Sequence, residues 1–230
     1  MSASYVEEFT REVAIDARTT ALLVIDMQNA TGNPELGLGA LLRRQDRFDS
    51  ARYRFDRIER AVVPNTQKLL AGFRAAGASV IFITYGAELA DASDVPEHVR
   101  KIVLATNNRK GEREHEIVAA LQPRADEPVL NKVTMGAFAS TGIDTLLRAK
   151  QISEIVCTGV STNNCVGMTA MEASDRGYGV VLAEDATGTC SDAMQDAYVT
   201  MFRRLWGRIA TTDEIITELG RTRAPRAAAG

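Results

Sequence analysis

Histidine and cysteine are scarce in this chain of 230 residues. It contains two histidines, His98 and His115, and three cysteines, and no CxxC, HxxxH or HExxH motif is present. The usual zinc-ligand spacings are therefore missing, and we predict neither a metal nor a cofactor. An odd number of cysteines without paired spacing also disfavours a disulfide framework, so we expect free thiols and a cytoplasmic location.

Long apolar runs and a strong charge imbalance are lacking as well. No stretch reaches about 18 apolar residues, which excludes a spanning helix, and residues 1–18 lack the apolar core of a signal peptide. The net charge is −3, without the basic stripe typical of nucleic-acid-binding proteins. No GxGxxG or GxxxxGK[ST] motif follows the first apolar run, which disfavours a nucleotide-binding α/β protein. We therefore expect no nucleic-acid or membrane partner.

Apolar runs without alternation recur along the chain, as is typical of strands buried on both faces of a parallel sheet. Strands are predicted at Thr19–Asp26, Ala78–Tyr85, Pro128–Asn131, Ser153–Gly159, Tyr178–Leu182 and Arg208–Ala210. Helices are predicted at 62–76, 112–121, 141–150, 165–176, 192–205 and, after a capping box at 211–214, up to about residue 219. This alternation predicts one α/β domain over residues 1–230, with about 18 N-terminal and 10 C-terminal residues peripheral.

Two polar segments interrupt the pattern. Residues 29–60 combine a loop with an arginine-rich stretch, for which we predict a short helix and a flap with a mainly solvated basic face. Residues 86–109 are long and polar, which is typical of a pocket loop. His98 in this segment is predicted at the surface, and His115 on the outer face of the helix that follows.

Three chemically capable residues lie at or just after predicted strand ends: Asp26, Lys132 and Cys165. The carboxyl ends of parallel strands share one edge of a sheet, where ligands bind. A thiol at a helix start favours the thiolate, a carboxylate can act as its base, and a lysine can stabilise negative charge. Backbone N–H groups around Cys165 would form an oxyanion hole. The alternative is three unrelated residues: a turn cap, a surface lysine and a core cysteine.

Longer motifs then identify a resemblance. The chain resembles the isochorismatase-like cysteine hydrolases at Ala21–Asn29 (ALLVIDMQN), Leu130–Arg148 (LNKVTMGAFASTGIDTLLR), Thr158–Tyr178 (TGVSTNNCVGMTAMEASDRGY) and Val181–Thr189 (VLAEDATGT). The resemblance implies a three-layer, doubly wound, six-stranded parallel sheet of order 3-2-1-4-5-6, with helices on both faces. It implies homodimers or homotetramers.

The resemblance also assigns site residues. It implies a catalytic triad of Asp26, Lys132 and Cys165, together with a non-proline cis peptide at Val160–Ser161. That peptide would direct the N–H of Ser161 or Thr162 towards an oxyanion.

Within this family, the cysteine separates amide chemistry from ether chemistry. Isochorismatases that cleave a vinyl ether typically lack it, so Cys165 favours hydrolysis of a C–N bond through a covalent thioester or thiocarbamate. Nicotinamidases add a metal site with an Asp and two closely spaced histidines after the first strand, but this chain has no histidine before His98. A small linear amide, carbamoyl or ureide substrate is therefore predicted, as for N-carbamoylsarcosine, biuret, triuret and ureidoacrylate amidohydrolases. The alternatives are isochorismatase-type ether hydrolysis and a catalytically silent binding member of the family.

Substrate-binding residues are predicted from their proximity to these motifs. The candidates are Gln28, Asn29, Tyr85, Phe138, Thr162 and Asn163. Cys157 lies inside the fourth strand and is predicted to be core. For Cys190 a structural role is favoured over a place at the site, and both possibilities stay open.

Overall fold

A six-stranded parallel sheet organises the computed structural model, which describes residues 12–222. The strands are β1 (Thr20–Ile25), β2 (Ser79–Tyr85), β3 (Val129–Lys132), β4 (Glu154–Val160), β5 (Gly179–Gly188) and β6 (Arg208–Ala210). Their order is β3-β2-β1-β4-β5-β6, and each neighbouring pair is parallel. The predicted fold class and strand order are confirmed. Residues 1–11 and 223–230, within the termini expected to be peripheral, lie outside the described range.

Helices connect the strands and cover both faces of the sheet. They are α1 (Asn29–Gly32), α2 (Gly37–Arg44), α3 (Arg52–Arg57), α4 (Val63–Ala76), α5 (Glu97–Ala105), α6 (Ile143–Ala149), α7 (Gly167–Asp175), α8 (Asp192–Arg203) and α9 (Thr212–Arg221). Single π-helical turns occur at Ile58–Val62 and Thr162–Val166, and 3-10 turns at Phe48–Ala51, Arg113–His115 and Ala119–Leu121. Within residues 12–222, none of these helices is both long and apolar enough to cross a membrane.

The core has two layers because successive side chains of a strand point to opposite faces. On one face, Leu22 and Val24 of β1 pack in the cluster that holds α4 and α9. On the other, Leu23 and Ile25 pack with α6, α7 and α8. β1 is fully buried, so its apolar run reflects burial on both sides, as predicted.

Local signals at two helix ends agree with the structure. Thr211 and Glu214 form the predicted capping box at the start of α9. Gly77 ends α4 with φ at 71°, a left-handed conformation that glycine adopts at little cost.

One predicted strand end and one predicted helix are wrong here. The fifth strand, predicted to end at Leu182, continues as β5 to Gly188 after the pairing register with β4 shifts between Cys157 and Gly159. The predicted helix at 112–121 is instead two separate 3-10 turns. Its apolar spacing reflects attachment to the end of β1: Val118 N–H donates to the Met27 carbonyl at 2.9 Å, and Ile117 bridges to Gln28.

Candidate active site

Asp26 follows the last residue of β1, one of the two central strands of the sheet. Its φ is 52°, and its N–H donates to the Ile83 carbonyl of β2 at 2.9 Å. Thr31 Oγ1 donates to the Asp26 carbonyl at 2.7 Å, which fixes the turn from the other side. The residue is only 2% exposed. The carboxyl group is therefore held at the strand edge, out of bulk solvent.

Lys132 reaches Asp26 from two strands away. It ends β3, and the parallel register places it opposite Tyr85 at the end of β2. Its Nζ lies 4.3 Å from the centre of the Tyr85 ring and donates to Asp26 Oδ2 at 2.9 Å and to the Thr134 carbonyl at 3.2 Å. The side chain thus passes over the intervening strand, and the alternative of a surface lysine is wrong, because Lys132 is fully buried.

Cys165 lies in the π-helical turn Thr162–Val166, between β4 and α7. The predicted helix start at this residue is two positions early, because Asn164 has a non-helical conformation (φ −119°, ψ −105°) and α7 begins at Gly167. The N–H groups of Asn164 and Val166 donate to the Ser161 carbonyl at 2.9 and 3.2 Å. The Val160–Ser161 peptide bond is cis. Cys165 is 7% exposed, and Met135 Sδ lies 3.5 Å from its sulfur.

The electrostatics of these three groups favour a protonated thiol. Burial and the neighbouring Asp26 carboxylate raise the pKa of Cys165 to about 12, although Lys132 opposes them. The expectation that the helix start favours a thiolate is therefore wrong: desolvation outweighs it. Burial also raises the pKa of Asp26 above its ordinary value, against the opposing charge of Lys132. Burial lowers the pKa of Lys132, but Asp26 and Cys165 together outweigh burial, so the pKa is raised and the ammonium stays charged.

The two oxygens of Asp26 have different surroundings. Oδ2 accepts the hydrogen bond from Lys132, whereas Oδ1 is buried and has no hydrogen-bond partner among the described residues. Cys165 interacts with the same carboxyl group. A buried carboxyl group that interacts with a protonated thiol and has one oxygen without a donor is well suited to accept the proton of that thiol.

A cavity of about 410 Å³ opens onto Asp26 and Cys165. This volume lies within the range of small-molecule sites. One wall is apolar and comes from α2 and α5, through Leu38, Leu42, Val99, Ile102 and Val103. The polar lining residues are Asp26, Thr31, Ser50, Arg54, Tyr85, Thr106, Asn108, Ser161, Asn163, Asn164 and Thr189. The segment 86–109, predicted as a pocket loop, thus contributes a helix to the wall.

Some of the predicted site residues line this cavity and others do not. Asp26, Cys165, Tyr85, Val160, Ser161 and Asn163 all line it. The hydroxyl group of Tyr85 is buried and has no hydrogen-bond partner among the described residues. Thr189 Oγ1 donates to Asn163 Oδ1. Lys132 is not part of the lining and reaches the cavity through Asp26.

Gln28, Asn29, Phe138 and Thr162 lie outside the cavity lining. Gln28 is fully buried: its Oε1 accepts the Tyr85 N–H at 2.8 Å, and its Nε2 donates to the His115 carbonyl at 2.7 Å. Asn29 Nδ2 donates to the Arg113 carbonyl at 2.9 Å. Phe138 packs against Tyr178, and Thr162 donates to Gln195 Oε1 at 2.7 Å. The structure therefore places these four side chains in supporting contacts around the site.

His115 belongs to the same network, which corrects its predicted place on an outer face. Its Nδ1 lies 3.1 Å from Gln28 Nε2 and 3.2 Å from Asn108 Oδ1. Burial, together with the charge of Lys110, lowers its pKa, which favours the neutral imidazole. His98 is exposed, as predicted.

Among the cavity residues, Arg54 was missed by the sequence and the place of Cys190 was left open. Arg54 donates to Ser161 Oγ at 2.6 Å and to the Thr31 carbonyl, so at this position the predicted solvated basic face is wrong. It is one of seven arginines between positions 43 and 60, and no sequence signal distinguishes it. Cys190 lines the cavity. Cys190 lies two residues after the end of β5 at Gly188. Had the end of this strand been predicted correctly, its position just after a strand end would have indicated a place at the site.

No cluster of three or more His, Cys, Asp or Glu side chains able to hold a metal ion occurs within residues 12–222.

Comparisons with known proteins agree with this architecture. Residues 20–214 match the family model of the isochorismatase domain. The ureidoacrylate amidohydrolase RutB of Variovorax paradoxus (strain S110) is 28% identical over 219 residues, 89% of this chain and 82% of that protein. A cysteine hydrolase from Pseudomonas syringae pv. phaseolicola 1448A superposes with a TM-score of 0.75 at 26% identity, covering 92% of this chain and 97% of the other. An N-carbamoylsarcosine amidase from Thermoplasma acidophilum superposes with a TM-score of 0.64 at 26% identity, and the match covers 86% of this chain and 98% of that protein. Because the family model spans most of the chain, this protein belongs to the isochorismatase domain family.

Proposed function

We propose that the protein is a cysteine-dependent amidohydrolase that cleaves a non-peptide C–N bond in a small linear amide, carbamoyl or ureide compound. One observation carries the proposal: a buried Asp26–Lys132 pair, 2.9 Å apart, lies beside the Cys165 thiol at a cavity of small-molecule size. The similarity to a ureidoacrylate amidohydrolase and to an N-carbamoylsarcosine amidase supports amidohydrolase chemistry. We further propose that the whole chain is a single domain of this family.

The first half-reaction forms a covalent intermediate. Asp26 Oδ1 accepts the proton of the Cys165 thiol while the sulfur attacks the carbonyl carbon of the substrate. A C–S bond forms, and the π electron pair of the carbonyl moves onto oxygen. Backbone N–H groups of the 161–165 segment stabilise that oxyanion; the N–H of Asn164 is excluded, since it already donates to the Ser161 carbonyl. The Lys132 ammonium keeps Asp26 oriented and offsets the negative charge.

The intermediate then collapses and is hydrolysed. The oxyanion re-forms the C=O bond, the C–N bond breaks, and Asp26 transfers its proton to the leaving ammonia or amine. A thioester or thiocarbamate remains on Cys165. Asp26, ionised again, takes a proton from water, and the resulting hydroxide attacks the same carbon. The C–S bond breaks, and the sulfur recovers its proton from Asp26. One carboxyl group with a raised pKa thus serves both as base and as acid.

Tyr85 and Asn163 are the predicted binding residues that line the cavity. The Tyr85 ring lies 4.3 Å from the Lys132 ammonium, so this residue shapes the cavity beside the Asp26–Lys132 pair. Gln28 fixes the backbone of Tyr85 and therefore acts as a positioning residue. Asn29 and Thr162 support the site indirectly through their hydrogen bonds to Arg113 and Gln195, and Phe138 does so through its packing against Tyr178.

Mass spectrometry of the intact protein and of its peptides tests this scheme. Ammonia release is measured with ureides, carbamoyl amino acids and simple amides, and an active substrate is then quenched during turnover. We expect an acyl or carbamoyl adduct on Cys165, and not on Cys157 or Cys190. Cys165→Ser and Cys165→Ala are expected to lose most of the activity. Full turnover by Cys165→Ala would show that the thiol is not the nucleophile.

We also propose that the protein forms a homodimer or homotetramer, as the resemblance implies. Met194, Met201 and Leu205, on and just after α8, are 41%, 38% and 62% exposed, which is the kind of surface that subunit contacts cover. Light scattering coupled to size-exclusion chromatography tests this, and a mass of 25.0 kDa at all concentrations would contradict it.

A further inference from the structure

Arg54 uses only part of its hydrogen-bonding capacity within the protein. Its Nε and Nη2 donate to the Thr31 carbonyl at 3.2 and 3.1 Å, and its Nη1 donates to Ser161 Oγ at 2.6 Å. A guanidinium group carries five N–H donors. Among the described residues, one N–H on each Nη atom is therefore left over, and Arg54 lines the cavity.

The charge of Arg54 is also unmatched by an ion pair. The nearby Arg52 and Arg43 are bound to Asp49 and Glu35 at the surface. No carboxylate of residues 12–222 forms such a pair with Arg54. Asp26, the acidic residue of the cavity lining, is bound to Lys132. With Asp26 ionised, the Asp26–Lys132 pair is neutral, and Arg54 leaves the cavity with one positive charge in excess.

The surroundings make that excess charge effective. The wall formed by α2 and α5 is apolar, and charges near such a wall are poorly screened, so an anion in the cavity is attracted more strongly than it would be in water. Burial lowers the pKa of Arg54, while Cys165, Cys190 and Asp26 oppose this effect. The side chain is thus desolvated without a full counter-charge, a state that a bound anion relieves.

From this arrangement we infer that Arg54 forms a subsite for a carboxylate group of the substrate. The inference rests on the proposed function and narrows it: the substrate is a ureido or carbamoyl acid with its C–N bond at Cys165 and its carboxylate at Arg54. The two remaining Nη donors match the two oxygens of a planar carboxylate. Arg54 then acts as a specificity-determining residue, and its bond to Ser161 couples acid recognition to the turn that carries Cys165.

A purely structural role for Arg54 predicts a different outcome. If the side chain served only to tie Ser161 to Thr31, its replacement would impair charged and neutral substrates equally. The decisive quantity is therefore a ratio of kcat/KM values for two probes of the same shape. β-Ureidopropanoate and isopentylurea form such a pair, because two methyl groups of the second replace the carboxylate oxygens of the first.

The experiment measures ammonia release from both probes by the wild type and by the variants Arg54→Met, Arg54→Lys and Arg52→Met. The wild type is expected to favour β-ureidopropanoate by about tenfold or more, the contribution of a charge-assisted hydrogen-bonded pair. Arg54→Met should bring the ratio close to one, and Arg54→Lys should restore part of it. Arg52→Met, which removes a surface charge from the same helix, should keep the wild-type ratio.

Each outcome decides the inference. Equal hydrolysis of both probes by the wild type overturns the subsite while leaving the proposed function intact, and so does an equal loss on both probes in Arg54→Met. If thermal melts show that Arg54→Met does not fold, the test rests on the ratio of kcat/KM values for the two probes in the wild type and in Arg54→Lys. If no probe is hydrolysed, calorimetric binding to Cys165→Ala separates the claims. Selective binding of β-ureidopropanoate supports the subsite even if the proposed reaction fails, and binding of neither probe overturns it.

Discussion

The Lys132 ammonium lies 2.9 Å from Asp26 Oδ2, and the two side chains are 0% and 3% exposed. The pair joins the ends of β3 and β1 across the Tyr85 ring of β2. Taking two charges out of water is costly, and a buried pair is usually no more stable than apolar side chains of similar volume. Its presence at the cavity is therefore better explained by chemistry than by stability, and this has measurable consequences.

Lys132→Met should destabilise the protein at neutral pH by about 3–5 kcal/mol, because it leaves the Asp26 carboxylate buried without its partner. The loss should depend on pH. The folded-state pKa of Asp26 is already raised by burial, and removal of Lys132 raises it further. A carboxyl group with a raised folded pKa favours folding at low pH, and that stability is lost as pH rises through the folded pKa. Urea denaturation at several pH values measures the effect.

The double variant Asp26→Asn/Lys132→Met is the control. It removes both charges, so its free energy of unfolding should exceed that of Lys132→Met at neutral pH and lose most of the pH dependence. If the free energy of unfolding of Lys132→Met equalled that of the wild type between pH 5 and 9, this would contradict the buried ion pair.

Activity should follow the ionisation of Asp26 and not that of a free thiol. The reactive form needs Asp26 ionised and Cys165 protonated. As pH falls through the raised pKa of Asp26, kcat/KM should drop about tenfold per pH unit, with a midpoint above the ordinary value of 3.8. The pKa of Cys165 is about 12 and that of Lys132 is raised above 10.5, so the rate should stay level through neutral pH.

A profile of kcat/KM from about pH 4 to 10 tests this assignment. A rate that instead rises tenfold per unit towards pH 9.0, the ordinary pKa of a thiol, would indicate attack by a preformed thiolate and would remove Asp26 from the role of base.

The three cysteines should be alkylated in a fixed order by iodoacetamide at neutral pH, because only the thiolate reacts and access limits the rate. Cys190 is exposed and should react first. Cys165, 7% exposed and with a pKa raised to about 12, should react slowly. Cys157 is fully buried in β4, with its pKa raised by burial to about 12, and should react only on unfolding. Peptide mass spectrometry over time gives the order, and faster modification of Cys165 than of Cys190 would contradict the electrostatics described for the site.

The sequence predicted the strand-end residues and missed the long-range contacts for a physical reason. Asp26 and Lys132 follow apolar runs, and a parallel sheet aligns the carboxyl ends of such runs whatever the loops do. Arg54 meets Ser161 across 107 positions, and Gln28 meets His115 across 87. No local pattern records those approaches. The prediction of a thiolate at Cys165 was wrong for a related reason. Its position near a helix start is a local feature, whereas the burial that raises its pKa depends on the whole fold.

Gly159 connects the fold to the site most tightly. Its φ is +112°, and a Cβ atom there would lie 2.0 Å from the Ile25 carbonyl oxygen. Gly159 pairs with Ile25, the residue before Asp26, and lies two residues before Ser161. Gly159→Ala would therefore strain the backbone, by about 1–3 kcal/mol for the conformation alone, and push β1 away from β4. Asp26 and Cys165 would separate, so kcat/KM should fall strongly even under conditions in which the variant remains folded.

Gly220→Ala provides the matched comparison. Gly220 lies within α9, and a Cβ atom there would meet nothing within 4 Å. Alanine in a helix is favoured over glycine by about 0.5–1 kcal/mol, so this variant should be slightly more stable than the wild type with unchanged kcat/KM. Thermal melts and ammonia release measured on both variants test the contrast. Wild-type activity in Gly159→Ala would mean that β1 and β4 accommodate the added methyl group without displacing the two reacting residues.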